Sequence, residues 1–118
     1  MIVAIPTENG RPSEHFSESD ATTLLDIDLA NMTTRAHQVL RRENGQEMVQ
    51  WLRSMMVDAV LVGSIGFADQ DRLNTMKIKV YPGGSIRTID GLVSAFVQGE
   101  LSYNPCARAG SSPELCCN

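Results

Sequence analysis

The run Asp58-Ala-Val-Leu-Val-Gly-Ser-Ile-Gly66 constrains the fold more than any other stretch of the chain. Ala59 to Val62 are aliphatic with no polar alternation, the pattern of a parallel strand covered by helices on both faces. Two glycines, Gly63 and Gly66, close the run. They predict a tight turn where the backbone adopts a geometry, or allows an approach, that a side chain would forbid. Phe67 to Met76 then reads as a helix, so the free N–H groups of its first turn face out beyond the strand end, a place suited to anions.

The remaining elements arrange themselves around that strand. Met1 to Ile5 reads as a first strand, apolar on both faces and stopped by Pro6. Thr7 to Asp20, rich in Asn, Gly, Pro, Ser and acidic residues, reads as one long loop. Thr22 to Leu29 sets Leu25, Ile27 and Leu29 against Asp26 and Asp28 at strand period. Met32 to Arg41 continues in strand register after the short Ala30-Asn31 break, which predicts an antiparallel hairpin. Asn44-Gly-Gln-Glu47 resembles a capped helix start, with Met48, Val49, Leu52, Met55 and Met56 as an apolar stripe and Trp51 at its edge. The methionines are core filler in this reading. Lys77 to Tyr81 reads as a last strand ended by Pro82-Gly-Gly84. Ser85 caps a helix with a stripe of Ile86, Ile89, Leu92, Val93 and Phe96, and Gly99 stands where a left-handed stop belongs.

Right-handed crossovers turn this order into an α/β fold, a ribonuclease H-like three-layer sandwich with a mixed five-stranded sheet. The first, fourth and fifth strands run parallel and the second is antiparallel. A small flavodoxin-like fold is the alternative, and the hairpin before the first helix speaks against it. The folded unit is expected to span 1–101, followed by a mobile tail over 102–118.

Several function classes are disfavoured. A net charge of −4 and scattered Lys and Arg, the Arg41-Arg42 pair apart, argue against nucleic acid as a partner. No apolar stretch reaches membrane-spanning length and the N-terminus lacks signal-peptide features, so a cytoplasmic protein is expected. The sequence holds no nucleophile–base pairing, phosphate-loop motif or Rossmann fingerprint. Nor does the first strand carry the Asp that two-metal nuclease chemistry would need. An enzyme is therefore not expected.

Metal-ligating residues are few. His15 lies in a polar loop, and neutral imidazole is a good ligand for iron or copper. His37 falls within a strand, where a structural or surface role is favoured, and Asp26 and Asp28 read as solvated charge. All three cysteines, Cys106, Cys116 and Cys117, fall in the tail. Their odd number excludes a closed disulfide framework within one chain. Thiolates suit copper(I), zinc and iron–sulfur units, although this spacing matches no Cys-x-x-Cys motif.

Four segments in order carry a family resemblance: Met-Ile-Val-Ala-Ile-Pro at the N-terminus, Ser13-Glu-His-Phe16, the Asp58–Gly66 block, and Lys79-Val-Tyr81 followed by Gly83-Gly84. Together they resemble the dinitrogenase iron-molybdenum cofactor biosynthesis family, which includes the orange protein type carrying a molybdenum–copper sulfide cluster. The resemblance covers Met1 to about Leu101. It implies a non-enzymatic carrier of a preformed metal–sulfur cluster containing iron, molybdenum or copper with sulfide, exchanged with a cluster-donor or acceptor protein. It implies a site at His15, Phe16, Gly63, Ser64, Ile65 and Gly66, with His15 as a metal ligand; by thiolate chemistry alone, Cys106, Cys116 and Cys117 are further candidate ligands, an unpaired tail being the alternative. The expected location is a crevice between the His15 loop and the Gly63–Gly66 turn, at the carboxyl ends of the strands. This chain departs from the family where Ser17-Glu-Ser-Asp20 follows His15-Phe16 in place of Gly, a basic residue and aromatics, and where Gly63-Ser64 replaces a glycine pair. The first departure exchanges positive charge for negative. A regulatory or protein-interaction module without bound metal is the other reading, suited to the acidic loop and the tail.

Overall fold

The computed structural model describes residues 1–43 and 45–102. Their elements are β1 (Ile2–Glu8), β2 (Arg11–Pro12), a 3-10 turn at Phe16–Glu18, β3 (Ala21–Asp28), β4 (Thr33–Arg41), α1 (Met48–Ser54), β5 (Ala59–Val62), α2 (Phe67–Thr75), β6 (Lys79–Pro82) and α3 (Ile89–Val97). One mixed sheet runs in the order β4-β3-β1-β5-β6, with β2 paired to β1. The strands β1, β5 and β6 are parallel, and β3 runs antiparallel to both β1 and β4, as the sequence predicts.

The sheet has six strands rather than five, and the first strand does not stop at Pro6. The Asp58 N–H donates to the Ile2 carbonyl at 2.8 Å, so even positions of β1 turn their backbone groups toward β5. That ladder ends at Ala4 opposite Val60. Pro6 stands one step beyond it, where a missing N–H costs no ladder bond. β1 therefore continues to Glu8 and pairs with β2 through Asn9 (φ 56°) and Gly10 (φ 80°). Positive φ at both central residues marks the tight turn whose twist matches a hairpin. Part of the expected long loop is thus strand.

Alternation along the strands builds two cores. Ala4, Val60, Val62 and Val80 face α1 and α2, and pack with Met48, Val49, Trp51, Leu52 and Leu73. Val3, Ile5, Leu25, Ile27, Ala59 and Leu61 face α3 and pack with Leu92 and Phe96. The Phe96 ring meets Tyr81 edge to face, with centroids 5.0 Å apart. β5, the shortest of the central strands, is wholly buried on both faces. β4, at one edge, is almost entirely exposed and shifts register against β3 between Asp26 and Ile27. β6, at the other edge, has four residues and ends on Pro82.

Helix ends account for most boundary corrections. α1 is capped by Glu47, whose carboxylate accepts from the N–H groups of Val49 (2.9 Å) and Gln50 (3.3 Å). Asn44, the expected cap, lies outside the described residues. α3 begins at the Thr88 cap, whose hydroxyl accepts from Gly91 N–H, so Ser85 belongs to the preceding turn and not to a cap. All three helices end with a left-handed residue just past the cap: Met56, Lys77 and Gly99. At Lys77 and Gly99 two bonds reach back, Lys77 N–H to Asn74 and Ile78 N–H to Leu73, and Gly99 N–H to Phe96 and Glu100 N–H to Ala95. That is the Schellman pattern. The left-handed φ at Met56 takes it out of the expected stripe to 82% exposure, and the Lys77 end delays the last strand to Lys79. Leu29, expected inside, is likewise exposed at the β3–β4 turn. In that turn Asp28 accepts from the Asn31 side chain and from the Ala30 and Asn31 N–H groups. The Asn31 side-chain bond is the main reason the Asp28 carboxyl is held below its ordinary range.

Candidate functional site

Because β1, β5 and β6 are parallel, their carboxyl ends share one edge of the sheet, the edge that collects ligands in open α/β folds. Three segments meet there: residues 13–19 after the β1–β2 hairpin, the 63–66 turn, and residues 83–88 after β6.

The first segment is tied down by its small polar residues. Ser13 N–H donates to the Pro6 carbonyl at 3.0 Å and Asp20 N–H to the Thr7 carbonyl at 3.0 Å, lacing the loop onto β1. Inside it, the Ser13 hydroxyl donates to the His15 carbonyl and the Ser19 hydroxyl to the Phe16 carbonyl. The Arg42 guanidinium donates to the Ser17 carbonyl from β4's end. The Phe16 side chain is buried in the α1–α2 core and anchors the loop there. His15, its neighbour, projects outward with a side chain 66% exposed.

The structure brings the His15 loop and the glycine turn together. The Ser64 hydroxyl donates to the Glu14 carbonyl at 3.0 Å, and a methyl group on Gly63 would stand 3.3 Å from the Ser13 carbonyl oxygen. Glycine at 63 therefore eases a close approach. Gly66 does not, since it has φ −75° and open space around its α-carbon. Gly66 N-caps α2, with Gln70 N–H returning to its carbonyl, and Ile65 packs partly against the core. Behind the turn, Gly84 N–H donates to the Gly63 carbonyl at 3.1 Å. These contacts hold the loop and the turn directly against each other.

The open space lies beside them. A cleft of about 370 Å³ is lined by Glu8, Asn9, Arg11, Pro12, Glu14 and Arg87. Arg87 reaches Glu14 at 3.5 Å while donating to the Gly84 carbonyl, which fixes the 83–88 segment against the His15 loop. On the rim, Glu8, His15 and Glu18 each offer a donor atom, all within 4.8 Å of one another. The two glutamates escape a reading of the sequence centred on His15. Glu18 was visible in the His15-x-x-Glu18 spacing, whereas Glu8 joins only because β1 extends past Pro6. His37 lies elsewhere, exposed on β4 with its backbone opposite Leu25. Cys106, Cys116 and Cys117 lie outside the described residues. The donors present at this edge are thus an imidazole, carboxylates and the first-turn N–H groups of α2, with Arg11 and Arg87 beside them. That set suits a metal cation directly and an anionic sulfide cluster in part, through the N–H and guanidinium groups.

A small α/β domain with a mixed sheet, helices on both faces and a ligand-type loop edge is the class defined here. A model of the family described as dinitrogenase iron-molybdenum cofactor matches residues 1–99, and the chain belongs to that family. Solved structures share the fold. A Methanocaldococcus jannaschii protein described as a candidate dinitrogenase is 21% identical, with a TM-score of 0.72 over 87% of this chain and 93% of that one. A Thermotoga protein described as a candidate NifB protein is 22% identical, with a TM-score of 0.61 over 86% and 91%. The apo form of the orange protein from Desulfovibrio gigas is 18% identical, with a TM-score of 0.67 over 86% and 91%. No curated protein matches the sequence. No helix among the described residues is long and apolar enough to cross a membrane.

Proposed function

We propose that this protein is a non-enzymatic carrier for a metal–sulfur cluster, of the iron-molybdenum or molybdenum–copper sulfide kind, in cofactor assembly or transfer. Its frame is a ribonuclease H-like three-layer sandwich, and it works in the cytoplasm between a cluster donor and a cluster acceptor protein. The observation that carries this reading is the placement of His15. In a chain of this family the exposed imidazole stands at the carboxyl edge of the parallel strands, one residue from the Glu14–Ser64 contact with the glycine turn.

The residues divide the work. His15 supplies a nitrogen ligand, the α2 first turn supplies N–H donors for sulfide, and Arg87 offsets part of the local negative charge. The cluster lies beside the loop–turn contact, over the Glu14–Arg87 cleft, and the tail cysteines add thiolate ligands. Reconstitution under anaerobic conditions with iron, molybdenum or copper and sulfide tests this. Visible absorption with bound metal and acid-labile sulfide is expected in wild type and is lowered in His15→Ala. A chain that retains no sulfide-containing species, or a His15→Ala variant with unchanged stoichiometry, sinks the reading or the location respectively.

A further inference from the structure

We propose that Glu8, His15 and Glu18 form a site for a single divalent transition-metal cation, filled in the absence of sulfide. This deepens the reading of the loop edge as metal-handling, but it concerns a different species, a bare cation rather than an anionic cluster. Three observations converge on it. The donors come from two independently fixed elements, Glu8 from the end of β1 and His15 with Glu18 from either end of the 3-10 turn. Residues three apart on a 3-10 turn eclipse. Accordingly, the Glu18 N–H bonds the His15 carbonyl at 2.9 Å, and the Glu18 carboxylate lies 4.0 Å from His15 Nδ1.

Charge is the second observation. Two carboxylates and a histidine meet within 4.8 Å, and among the described residues no Lys or Arg forms an ion pair with Glu8 or Glu18. Arg11 is Glu8's cross-strand partner in register, and Arg42 is spent on the Ser17 and Gln46 carbonyls. A dication would neutralise the two carboxylates. An anionic cluster at this rim would be repelled by them, and by Glu14 and Asp20 nearby in the chain.

Donor type is the third. Oxygen from two carboxylates and nitrogen from imidazole suits zinc, cobalt, nickel, manganese or ferrous iron, while the imidazole disfavours magnesium and calcium. A cation bonded at about 2.0–2.2 Å to each donor needs them roughly 3–3.5 Å apart. The half-buried Glu8 and the exposed Glu18 carry flexible side chains whose donors start within 4.8 Å of each other and of His15, so closing that gap calls for small side-chain rotations.

The test uses the full chain carrying Cys106→Ser, Cys116→Ser and Cys117→Ser, so that tail thiols cannot contribute. It is titrated with cobalt(II) in sulfide-free buffer, and the ligand-field absorption of bound cobalt is followed. One cobalt per chain is expected, displaced by zinc but not by excess magnesium. Glu8→Gln and Glu18→Gln should each weaken binding by at least about tenfold. Glu100→Gln, distant in the chain, should not change it, and unchanged melting profiles confirm that the folds are intact. Absence of cobalt binding in the parent, or equal uptake in both glutamate variants, overturns the proposal. Cluster loading with sulfide separates the two readings by sign: removing either carboxylate should leave or raise uptake of an anionic cluster while weakening cobalt binding. A chain that binds cobalt but never retains sulfide would sustain this site and defeat the carrier function.

Discussion

Replacing Val60 and Val39 by alanine in separate variants should give very different losses, although the covalent change is identical. Val60 is central in β5 with no exposed surface, packed under α1 and α2, whereas Val39 on the β4 edge is 59% exposed. Truncation removes two carbon groups, worth about 0.8 kcal/mol each if fully buried, and a residual cavity brings the total for Val60 to about 2–3 kcal/mol. Little can collapse to fill that gap, because Ala4 and Val80 on the flanking strands and Trp51 and Leu52 in α1 share the same packed cluster. At the exposed position the cost should stay below about 0.5 kcal/mol. Urea unfolding reports the difference directly, since Trp51, the only tryptophan, lies in the cluster that contains Val60. With a slope of about 1–3 kcal/mol/M, Val60→Ala should move the midpoint down by roughly 1 M and Val39→Ala by a small fraction of that. Equal shifts, or a larger one at Val39, would refute the placement of β5 between two helical layers.

Two further predictions concern the turns. Burial alone would raise the Glu47 carboxyl, but bonds from Arg72 and from the Val49 and Gln50 N–H groups outweigh it and hold the group below its ordinary value of 4.5. Its stabilisation is therefore complete above that value and lost as pH falls through the lower folded value. With 45% of the side chain exposed, Glu47→Gln should cost under about 1 kcal/mol near neutrality and nothing in strong acid, measured by unfolding across pH. At Gly83 a methyl group would run into Leu92 Cδ2 inside the α3 core, so Gly83→Ala should lose about 1–3 kcal/mol by overpacking. Gly66→Ala, entering open space, should change thermal stability by less than about 0.5 kcal/mol.

Much of the architecture was legible because burial writes itself into the residue pattern. The Ala59–Val62 run, the Leu25/Ile27 alternation and the Leu92/Phe96 stripe all lie in the cores where those patterns place them. The β1–β2 hairpin is also written, in the Asn9-Gly10 pair, but Pro6 masks it, since a proline at the end of a ladder does not stop a strand. The left-handed helix ends at Met56 and Lys77 carried no glycine to announce them, and only Gly99 did. At the site, His15 and the glycine turn were visible as separate signals, and their adjacency agrees with the parallel strands bringing their loops to one edge. The direct contact between them could not be read, because it depends on two loops approaching at Gly63 and Ser13. Glu8 entered the rim through the same strand extension that the proline concealed.

Both ends of the sheet bear on how this molecule keeps company with others of its kind. A bare edge strand is a template on which a stranger's strand can add. β4 offers nine residues of such a template, yet Arg35 and Arg41 stand along it and the irregularity between Asp26 and Ile27 breaks its straightness. β6 uses another defence, since four residues ending in Pro82 leave too short a ladder for a second chain to grip. A molecule crowded beside its own copies thus meets strand addition with charge and irregularity at one end, and with brevity at the other.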